Sequence, residues 1–256
     1  MTTTISAQEL TRFCDEYLQA SNFSDYCPNG LQVDAGVPIS NIITGVTASQ
    51  ALIDTAIAQN AQAILVHHGY FWKGEPAPLV GMKGARIRSL MQNGISLIAY
   101  HLPLDAHPII GNNAVLADEL DLQIVGALYP HEKYPVGNIA TTAPIRASDF
   151  AQKISDALCI APLHINAGEK DRILTKIGIC TGGAQDMIEQ AYAMGCDAFV
   201  SGEISERTTH FAREMGIDYF AAGHHATERG GIRELGRVVQ ASLGIPTKFV
   251  DIFNPA

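Results

Sequence analysis

The stretch Ala63-Ile64-Leu65-Val66-His67-His68-Gly69 places four apolar residues directly before two adjacent histidines and a glycine. A short apolar run bounded in this way is typical of a buried strand in a largely parallel sheet. In open α/β sheets, ligands bind at the carboxyl ends of the strands. We therefore interpret His67 and His68 as candidate site residues. Because side chains alternate along a strand, we expect the two imidazoles to point to opposite faces and to serve two ions.

The composition is that of a globular protein with one large or two modest domains, since 47% of its 256 residues are hydrophobic. Its net charge of −9 argues against a general nucleic-acid or membrane-surface binder, because such proteins need basic patches. No apolar run approaches the roughly 18 residues of a membrane span, and the start lacks signal-peptide features. Five scattered cysteines without a C-x-x-C pair indicate reduced thiols. Together these features predict a cytoplasmic protein.

The pattern of strands and helices repeats once along the chain. Residues 46–69 match residues 180–203 at a constant offset of 134, and each half reads β-α-β-α-β. This predicts an α/β fold of two related lobes with mixed, largely parallel sheets around a cleft. We expect residues 1–125 plus 222–256 to form one lobe and residues 126–221 the other. The alternative is that all β-α-β units look alike at this level of detail.

A histidine followed four residues later by an acid occurs after the third predicted strand of each half. His224 and Glu228 lie where a helix begins, so they can share one helix face. His101 and Asp105 have the same spacing, but Pro103 predicts a loop there because proline breaks helices. Histidine and carboxylate ligands without cysteine suit zinc, manganese, iron or cobalt. The alternative for each single histidine is an ordinary hydrogen-bonded or solvated residue.

The motifs at these positions resemble the NIF3-like family of dinuclear metal-centre proteins, which are also labelled GTP cyclohydrolase 1 type 2 homologs. The resemblance covers nearly the whole chain and rests on Asn29–Val33, Val66–Gly74, His101–Asp105 and Gly223–Gly230. It implies a NIF3-like two-lobed subunit, a toroidal homohexamer and two divalent ions (Zn, Fe, Mn, Co or Ni) in the cleft between the lobes. The ligands that it implies are His67, His68, Asp105, His224 and Glu228, with Glu228 as the bridge.

Two further residues are candidates for proton transfer. His101 is not a ligand by the resemblance, and we expect it either to orient water or a ligand or to be an inert core histidine. Glu203 ends the strand that matches the one carrying His67 and His68, so it either reaches the cleft or caps the helix that follows Ser205. The aromatic residues Tyr70–Trp72 either stack on a base or sugar or lie at a subunit contact.

A pair of divalent ions with two carboxylate ligands keeps a positive charge, so the site should attract an anionic small molecule. Paired ions lower the pKa of bound water and stabilise attacking and leaving oxygens. We therefore interpret the chain as a dinuclear metal-dependent hydrolase acting on a nucleotide, a phosphoester or a purine ring. The purine ring comes from the family's GTP cyclohydrolase label. The alternative is a metal-binding hexameric regulatory or scaffold protein without turnover.

Overall fold

The computed structural model of the protein describes residues 3–168 and 171–256. Strands and helices alternate along most of the chain, as the apolar pattern predicts. The strands are β1 Gly30–Val33, β2 Ile42–Thr47, β3 Ala63–His68, β4 Ser96–Ala99, β5 Gln123–Ala127, β6 Asn138–Arg146, β7 Leu163–Ile165, β8 Ile173–Ile179, β9 Ala198–Ser201, β10 Asp218–Ala221 and β11 Thr247–Phe249. The helices are α1 Ala7–Leu18, α2 Gln50–Ala58, α3 Gly81–Gln92, α4 Leu102–Asp105, α5 Asn112–Glu119, α6 Ala147–Leu158, α7 Ile188–Ala193, α8 Glu206–Met215, α9 His224–Thr227 and α10 Arg229–Leu243.

Serine side chains cap the first two helices. At α1, the Ser6 hydroxyl accepts a hydrogen bond from the Glu9 backbone N–H, and the Glu9 carboxylate accepts one from the Ser6 N–H. This capping box satisfies two backbone donors that the first turn of a helix leaves without partners. Ser49 caps α2 through a single hydrogen bond, which its hydroxyl accepts from the Leu52 N–H. Among the described residues, no helix is long and apolar enough to cross a membrane.

The first of two compact units takes in the described residues of Met1–Leu104 together with Gly231–Phe253. Its sheet has the order β1-β4-β3-β2-β11, in which β1 runs antiparallel to β4 and the other neighbours are parallel. Its core packs apolar strand residues against the inner faces of α2 and α3. Each fully buried Leu or Ile in such a core contributes about 1.5–3 kcal/mol. The carboxyl end of β3, with its two histidines, is thus held by a packed sheet.

The second unit takes in the described residues of Asp105–Gly230 together with Asn254–Ala256. Its sheet has the order β5-β6-β8-β9-β10-β7. The central strands β8, β9 and β10 are parallel, and antiparallel strands flank them on both sides. One hydrophobic cluster packs α6 against this sheet, and another packs α7 and α8 against it. The α/β class with two mixed sheets is confirmed. The predicted lobes 1–125 plus 222–256 and 126–221 stay a prediction.

The internal repeat is confirmed by the pairing of the strands. In the first unit Ile43 pairs with Ile64 in the parallel ladder of β2 and β3. In the second unit Ile177 pairs with Ala198 in the parallel ladder of β8 and β9. Both residues of the second pair lie 134 positions after those of the first, which is the offset found in the sequence. The two units therefore share one backbone scaffold up to the end of the second strand.

Candidate metal centre

The first unit presents His67 and His68 as the last two residues of β3. His67 is fully buried, and its Nδ1 lies 2.8 Å from the carbonyl oxygen of Tyr100. A carbonyl only accepts, so Nδ1 of His67 carries the proton and Nε2 is the basic nitrogen. His68 Nδ1 lies 3.3 Å from the Thr47 hydroxyl. Both imidazoles are therefore held by a contact at Nδ1, which is how proteins orient histidines for a metal.

The expectation that the two imidazoles point to opposite faces is wrong. Their ring centroids are 4.5 Å apart, and the rings are tilted by 43°. The ring nitrogens of His67, His68 and His101 include three ligand atoms within 4.8 Å of one another. Alternation along a strand separates the Cβ atoms, but both imidazoles are long enough to turn toward one another at the strand end. The strand end thus forms one cluster of three histidines.

His101 joins this cluster from the residue before α4, and a buried carboxylate fixes its orientation. Its Nδ1 lies 2.7 Å from Oδ1 of Asp25, whose side chain is only 2% exposed. Asn29 accepts from the His101 backbone N–H and donates to the other Asp25 oxygen. Burial raises the pKa of Asp25, but the hydrogen bonds from His101 and Asn29 outweigh it and hold the pKa at about 2. His101 is therefore an oriented histidine, and its role in proton transfer stays a prediction.

Of the three aromatic residues after β3, Trp72 is the one that contacts the histidines. Its ring lies edge-on to His101 at 5.0 Å and 5.8 Å from His68. Its Nε1 donates to the carbonyl of Gly69 at 3.2 Å. Tyr70 is buried, and its hydroxyl donates to a backbone carbonyl, so it has a structural role. Trp72 is thus the aromatic surface nearest to the histidine cluster.

The second unit presents His224 and Glu228 around the short helix α9. His224 Nε2 lies 3.2 Å from Oε2 of Glu228, as the predicted spacing of four residues requires. On its other side, His224 Nδ1 lies 2.7 Å from Oε1 of Glu203. Burial lowers the pKa of His224, but the hydrogen bonds and charges of Glu228 and then Glu203 outweigh it and raise the pKa to about 9. Glu203 therefore orients His224.

The helix cap at α8 does not come from Glu203, so that expectation is wrong. Ser205 caps the helix together with Thr208, whose hydroxyl lies 2.8 Å from that of Ser205. Ser205 is the nearer residue and can reach the first turn, which leaves the Glu203 carboxylate for the histidine.

Asp105 ends α4 and is 6% exposed. Its Oδ1 accepts a hydrogen bond from Asn112 Nδ2 at 2.8 Å, and its backbone carbonyl accepts one from Asn113. The prediction of a loop at Pro103 is wrong, because residues 102–105 form one helical turn. Proline is tolerated in a first turn, where the N–H that it lacks has no partner within the helix. Helix α4 thus sets the position of Asp105.

The glycines Gly182 and Gly202 allow His224 and Glu228 to pack closely in the second unit. A Cβ at Gly202 would lie 2.6 Å from Cα of His224 and 2.7 Å from the carbonyl oxygen of Gly182. Gly182 has a φ of +68°, and a Cβ there would lie 2.1 Å from a Glu228 carboxylate oxygen. No side chain fits at either position. The sequence signal for this loop is the glycine pair Gly182-Gly183, which comes shortly after β8.

Nearly the whole chain matches a known protein family. The family model of Duf34/NIF3 (NGG1p interacting factor 3) matches residues 5–255. The chain belongs to this family. A DUF34/NIF3 relative from Vibrio cholerae, named GTP cyclohydrolase 1 type 2 homolog, is 50% identical over 247 residues, which is 96% of this chain and 98% of the relative. A relative of the same name from Pseudomonas aeruginosa is 48% identical over 98% of this chain and 99% of its own length.

Solved structures agree with this DUF34/NIF3 assignment. A protein of unknown function called ybgI has a TM-score of 0.93 and 44% identity, covering 98% of this chain and all of the other. The protein TTHA1606 from Thermus thermophilus has a TM-score of 0.89 and 31% identity at the same coverage. Reduced HcgD from Methanocaldococcus jannaschii, at 20% identity and a TM-score of 0.85, shows the fold alone. The predicted family is therefore confirmed.

Proposed function

We propose that the protein is a metal-dependent hydrolase that binds two divalent ions. The proposed ligands are His67, His68, Asp105, His224 and Glu228. The observation that carries this proposal is the orientation of the histidines, because His67 and His224 are each held at Nδ1 by an acceptor within 2.8 Å. Histidines that bind metals are held in this way by a carbonyl or a carboxylate, which leaves Nε2 for the ion.

The donor set fits a borderline divalent ion. All five proposed ligands offer imidazole nitrogen or carboxylate oxygen, which suits Zn, Fe, Mn, Co or Ni. Glu228 is only 3% exposed, and its ion pair with His224 supplies one cation. A buried carboxylate needs such compensation, and a divalent ion provides more of it than one imidazolium. Bound ions would supply an activated water and positive charge for a developing anion.

His101 is the residue that we assign to proton transfer. Asp25 accepts from Nδ1 of His101, so the neutral imidazole has an accepting Nε2. The ring centroids of His101 and His67 are 5.1 Å apart. A water or substrate bound beside the proposed ligands therefore lies near His101 and can give its proton to Nε2. Glu203, the other candidate, is already engaged with His224 at 2.7 Å. We therefore assign Glu203 the orienting role and keep His101 as the acid-base group.

The proposed substrate is an anionic small molecule with a planar ring, namely a nucleotide or another purine-ring compound, with simple phosphoesters as the broader class. Two divalent ions with the two carboxylates Asp105 and Glu228 retain a net positive charge, which favours an anion. Trp72 beside His68 and His101 offers a face or edge for an aromatic ring. The name GTP cyclohydrolase 1 type 2 homolog, carried by the relatives, points to the same ring system.

A turnover assay tests this proposal. Metal-loaded wild-type protein and the Glu228→Gln variant are compared across a panel of nucleotides and phosphoesters, with Glu206→Gln as a control because Glu206 is exposed on α8. We expect turnover in the wild type and the control and its loss in Glu228→Gln. Equal turnover in all three proteins contradicts the proposal. A protein that binds metal but turns nothing over is instead the regulatory or scaffold protein.

We also propose that the protein forms a homohexamer. The support is its family resemblance and the strand β5, which forms one edge of the second sheet. Ile124 and Val125 of this strand are 37% and 56% exposed. An open edge with exposed apolar residues is a surface that soluble proteins usually cover. Sedimentation of the metal-free and metal-loaded protein measures the number of subunits. A monomer in both states contradicts the proposed homohexamer.

A further inference from the structure

A second group of potential metal ligands lies in the first unit and contains a thiol. Asp25, Cys27 and His101 each offer one ligand atom, and these three atoms lie within 4.8 Å of one another. Cys27 is 7% exposed, and its thiol makes no hydrogen bond or ion pair within residues 3–168 and 171–256. A buried thiol without a partner, facing a carboxylate and an imidazole, is a feature that the five-ligand centre does not use.

A cavity gives access to this group. It has a volume of about 690 Å³ and is lined by both Asp25 and Cys27. Two more acids, Asp15 and Glu16, lie in its wall, whereas its lining contains no lysine, arginine or histidine among the described residues. A concave wall with one sign of charge raises the local concentration of the opposite ion. The cavity therefore favours small cations and leaves room for water.

We propose that Asp25, Cys27 and His101 form an accessory site for a single thiophilic divalent ion of the zinc class. The carboxylate oxygen, the thiolate sulfur and Nδ1 of the imidazole are three ligands, and a water from the cavity is the fourth. This is the usual tetrahedral set for zinc. Tetrahedral bonds of about 2.1 Å place the oxygen and Nδ1 roughly 3.4 Å apart. The observed separation is 2.7 Å, so a small shift of the imidazole admits the ion.

Binding changes the protonation of both His101 and Cys27. Burial raises the pKa of the Cys27 thiol to about 12, so the thiol loses its proton only when the ion replaces it. That proton is released to solvent. The proton on Nδ1 of His101 cannot remain, and the neutral imidazole then carries its proton on Nε2. Ion binding thus releases one proton and converts Nε2 of His101 from an acceptor into a donor.

The consequence for activity rests on the proposed function. His101 can accept a proton at Nε2 only while Nδ1 carries one, as it does when it is bonded to Asp25. An ion in the accessory site therefore switches off the acid-base group without touching the five proposed ligands. We expect an excess of Zn²⁺ to inhibit the enzyme and Mn²⁺, which prefers oxygen ligands, to do so far less.

Cobalt titration tests the site independently of any activity. Co²⁺ bound by a thiolate shows a ligand-to-metal charge-transfer absorption in the near ultraviolet, and none of the five proposed ligands of the main centre is a thiol. We expect this absorption in the wild type and in Cys159→Ser, since Cys159 is exposed and far along the chain. We expect its loss in Cys27→Ser. Added Zn²⁺ should remove it in the wild type.

Two results overturn the proposal. One is Co²⁺ binding without a charge-transfer absorption, and the other is an absorption that persists in Cys27→Ser. If Cys27→Ser does not fold, as judged by circular dichroism, Asp25→Asn replaces it and should weaken the thiolate-linked binding by at least about tenfold. An unchanged affinity in Asp25→Asn also overturns the proposal. Neither result affects the proposed hydrolase function, whose failure would instead appear as the absence of turnover in the metal-loaded protein.

Discussion

The ends of β3 and β9 are equivalent positions of the internal repeat, yet they carry different chemistry. In the first unit β3 ends in His67-His68, and in the second unit the same two positions are Ser201-Gly202. The strand ladders before them have the same register. The first unit therefore presents two histidines from a strand, whereas the second has a serine and a glycine at these two positions and thus neither an imidazole nor a carboxylate.

The second unit obtains its histidine from the next strand connection. Leu97 and Asp218 pair with equivalent residues of β3 and β9, which relates β4 and β10 by an offset of 121. His101 and His224 are 123 apart, so the second unit has two more residues before its histidine. In the second unit the backbone of His224 packs against Gly202. The repeat thus preserves the backbone ladder, while the element that supplies the proposed histidine ligand changes.

The same substitution at the two equivalent positions should give the largest difference. We expect His67→Ala to lower metal affinity by more than about 100-fold. This exceeds the loss expected when a residue that only hydrogen-bonds to a metal ligand is removed. Ser201→Ala should leave the affinity nearly unchanged. It should cost about 1 kcal/mol of stability, because Ser201 Oγ accepts from the Ala184 N–H. Isothermal titration calorimetry measures the affinities, and equal losses in the two variants would contradict the comparison.

Adding a side chain at Gly202 should disturb the close packing of this glycine against the backbone of His224 and Gly182. Gly202→Ala places a Cβ within 2.9 Å of three backbone atoms, so we expect a loss of about 1–3 kcal/mol in the free energy of unfolding. Gly183→Ala is the matched control, because its nearest neighbour, in Glu203, would be 3.6 Å away. Urea unfolding compares the two variants. If Gly202→Ala is as stable as Gly183→Ala, the close packing of His224 on Gly202 is not required.

Removing the carboxylate that orients His224 should weaken metal binding less than removing a ligand. We expect Glu203→Gln to lower the affinity by about 10–100-fold, since the amide holds Nδ1 of His224 without a charge. Glu206→Gln, three residues away on the exposed start of α8, should have no effect. Calorimetric titration of both variants with metal measures the two affinities. Unchanged binding in Glu203→Gln would show that the 2.7 Å contact does not orient the ligand.

The smallest effect concerns the stability of the metal-free protein against pH. The pKa of His224 is raised from 6.5 to about 9, because Glu228 and Glu203 outweigh the effect of burial. The folded state therefore binds the proton more tightly than the unfolded state. This stabilisation is complete below about pH 6.5 and is lost as the pH rises through 9. We expect a decrease on the order of 1 kcal/mol across this window.

The Glu203→Gln variant provides the control for this pH dependence. It removes one of the two carboxylates that raise the pKa of His224, so the decrease in stability should become smaller and shift to lower pH. The free energy of unfolding of both chelator-treated proteins is measured at several pH values. A wild-type stability that rises between pH 6.5 and 9 would contradict the raised pKa of His224.

The sequence predicted those features of the two units that depend only on residues close together in the chain. The strand before His67 and the spacing of His224 and Glu228 are local patterns, and both appear in the structure. The repeat was also readable, because register follows the apolar pattern within each strand. These features need no knowledge of the tertiary fold.

The partners that orient the histidines could not be predicted, because they come from distant parts of the chain. Asp25 lies 76 residues before His101, and Glu203 lies 21 residues before His224. Only the folded sheet brings such pairs together. The helix at Pro103 was missed for a different reason: proline breaks a helix interior, but it fits a first turn. A helix of one turn is too short to show the apolar periodicity from which a helix can be predicted.

The first unit's sheet receives its last strand late in protein synthesis. β11 pairs in parallel with β2, and Thr247 of β11 lies opposite Ile42 of β2. At about 5–20 residues per second, a ribosome needs roughly 10–40 s to synthesise the chain between them. During that time β2 is an open edge, to which another nascent strand could bind. We therefore expect truncation before β11 to make the nascent protein aggregate, even though every proposed metal ligand has already been synthesised.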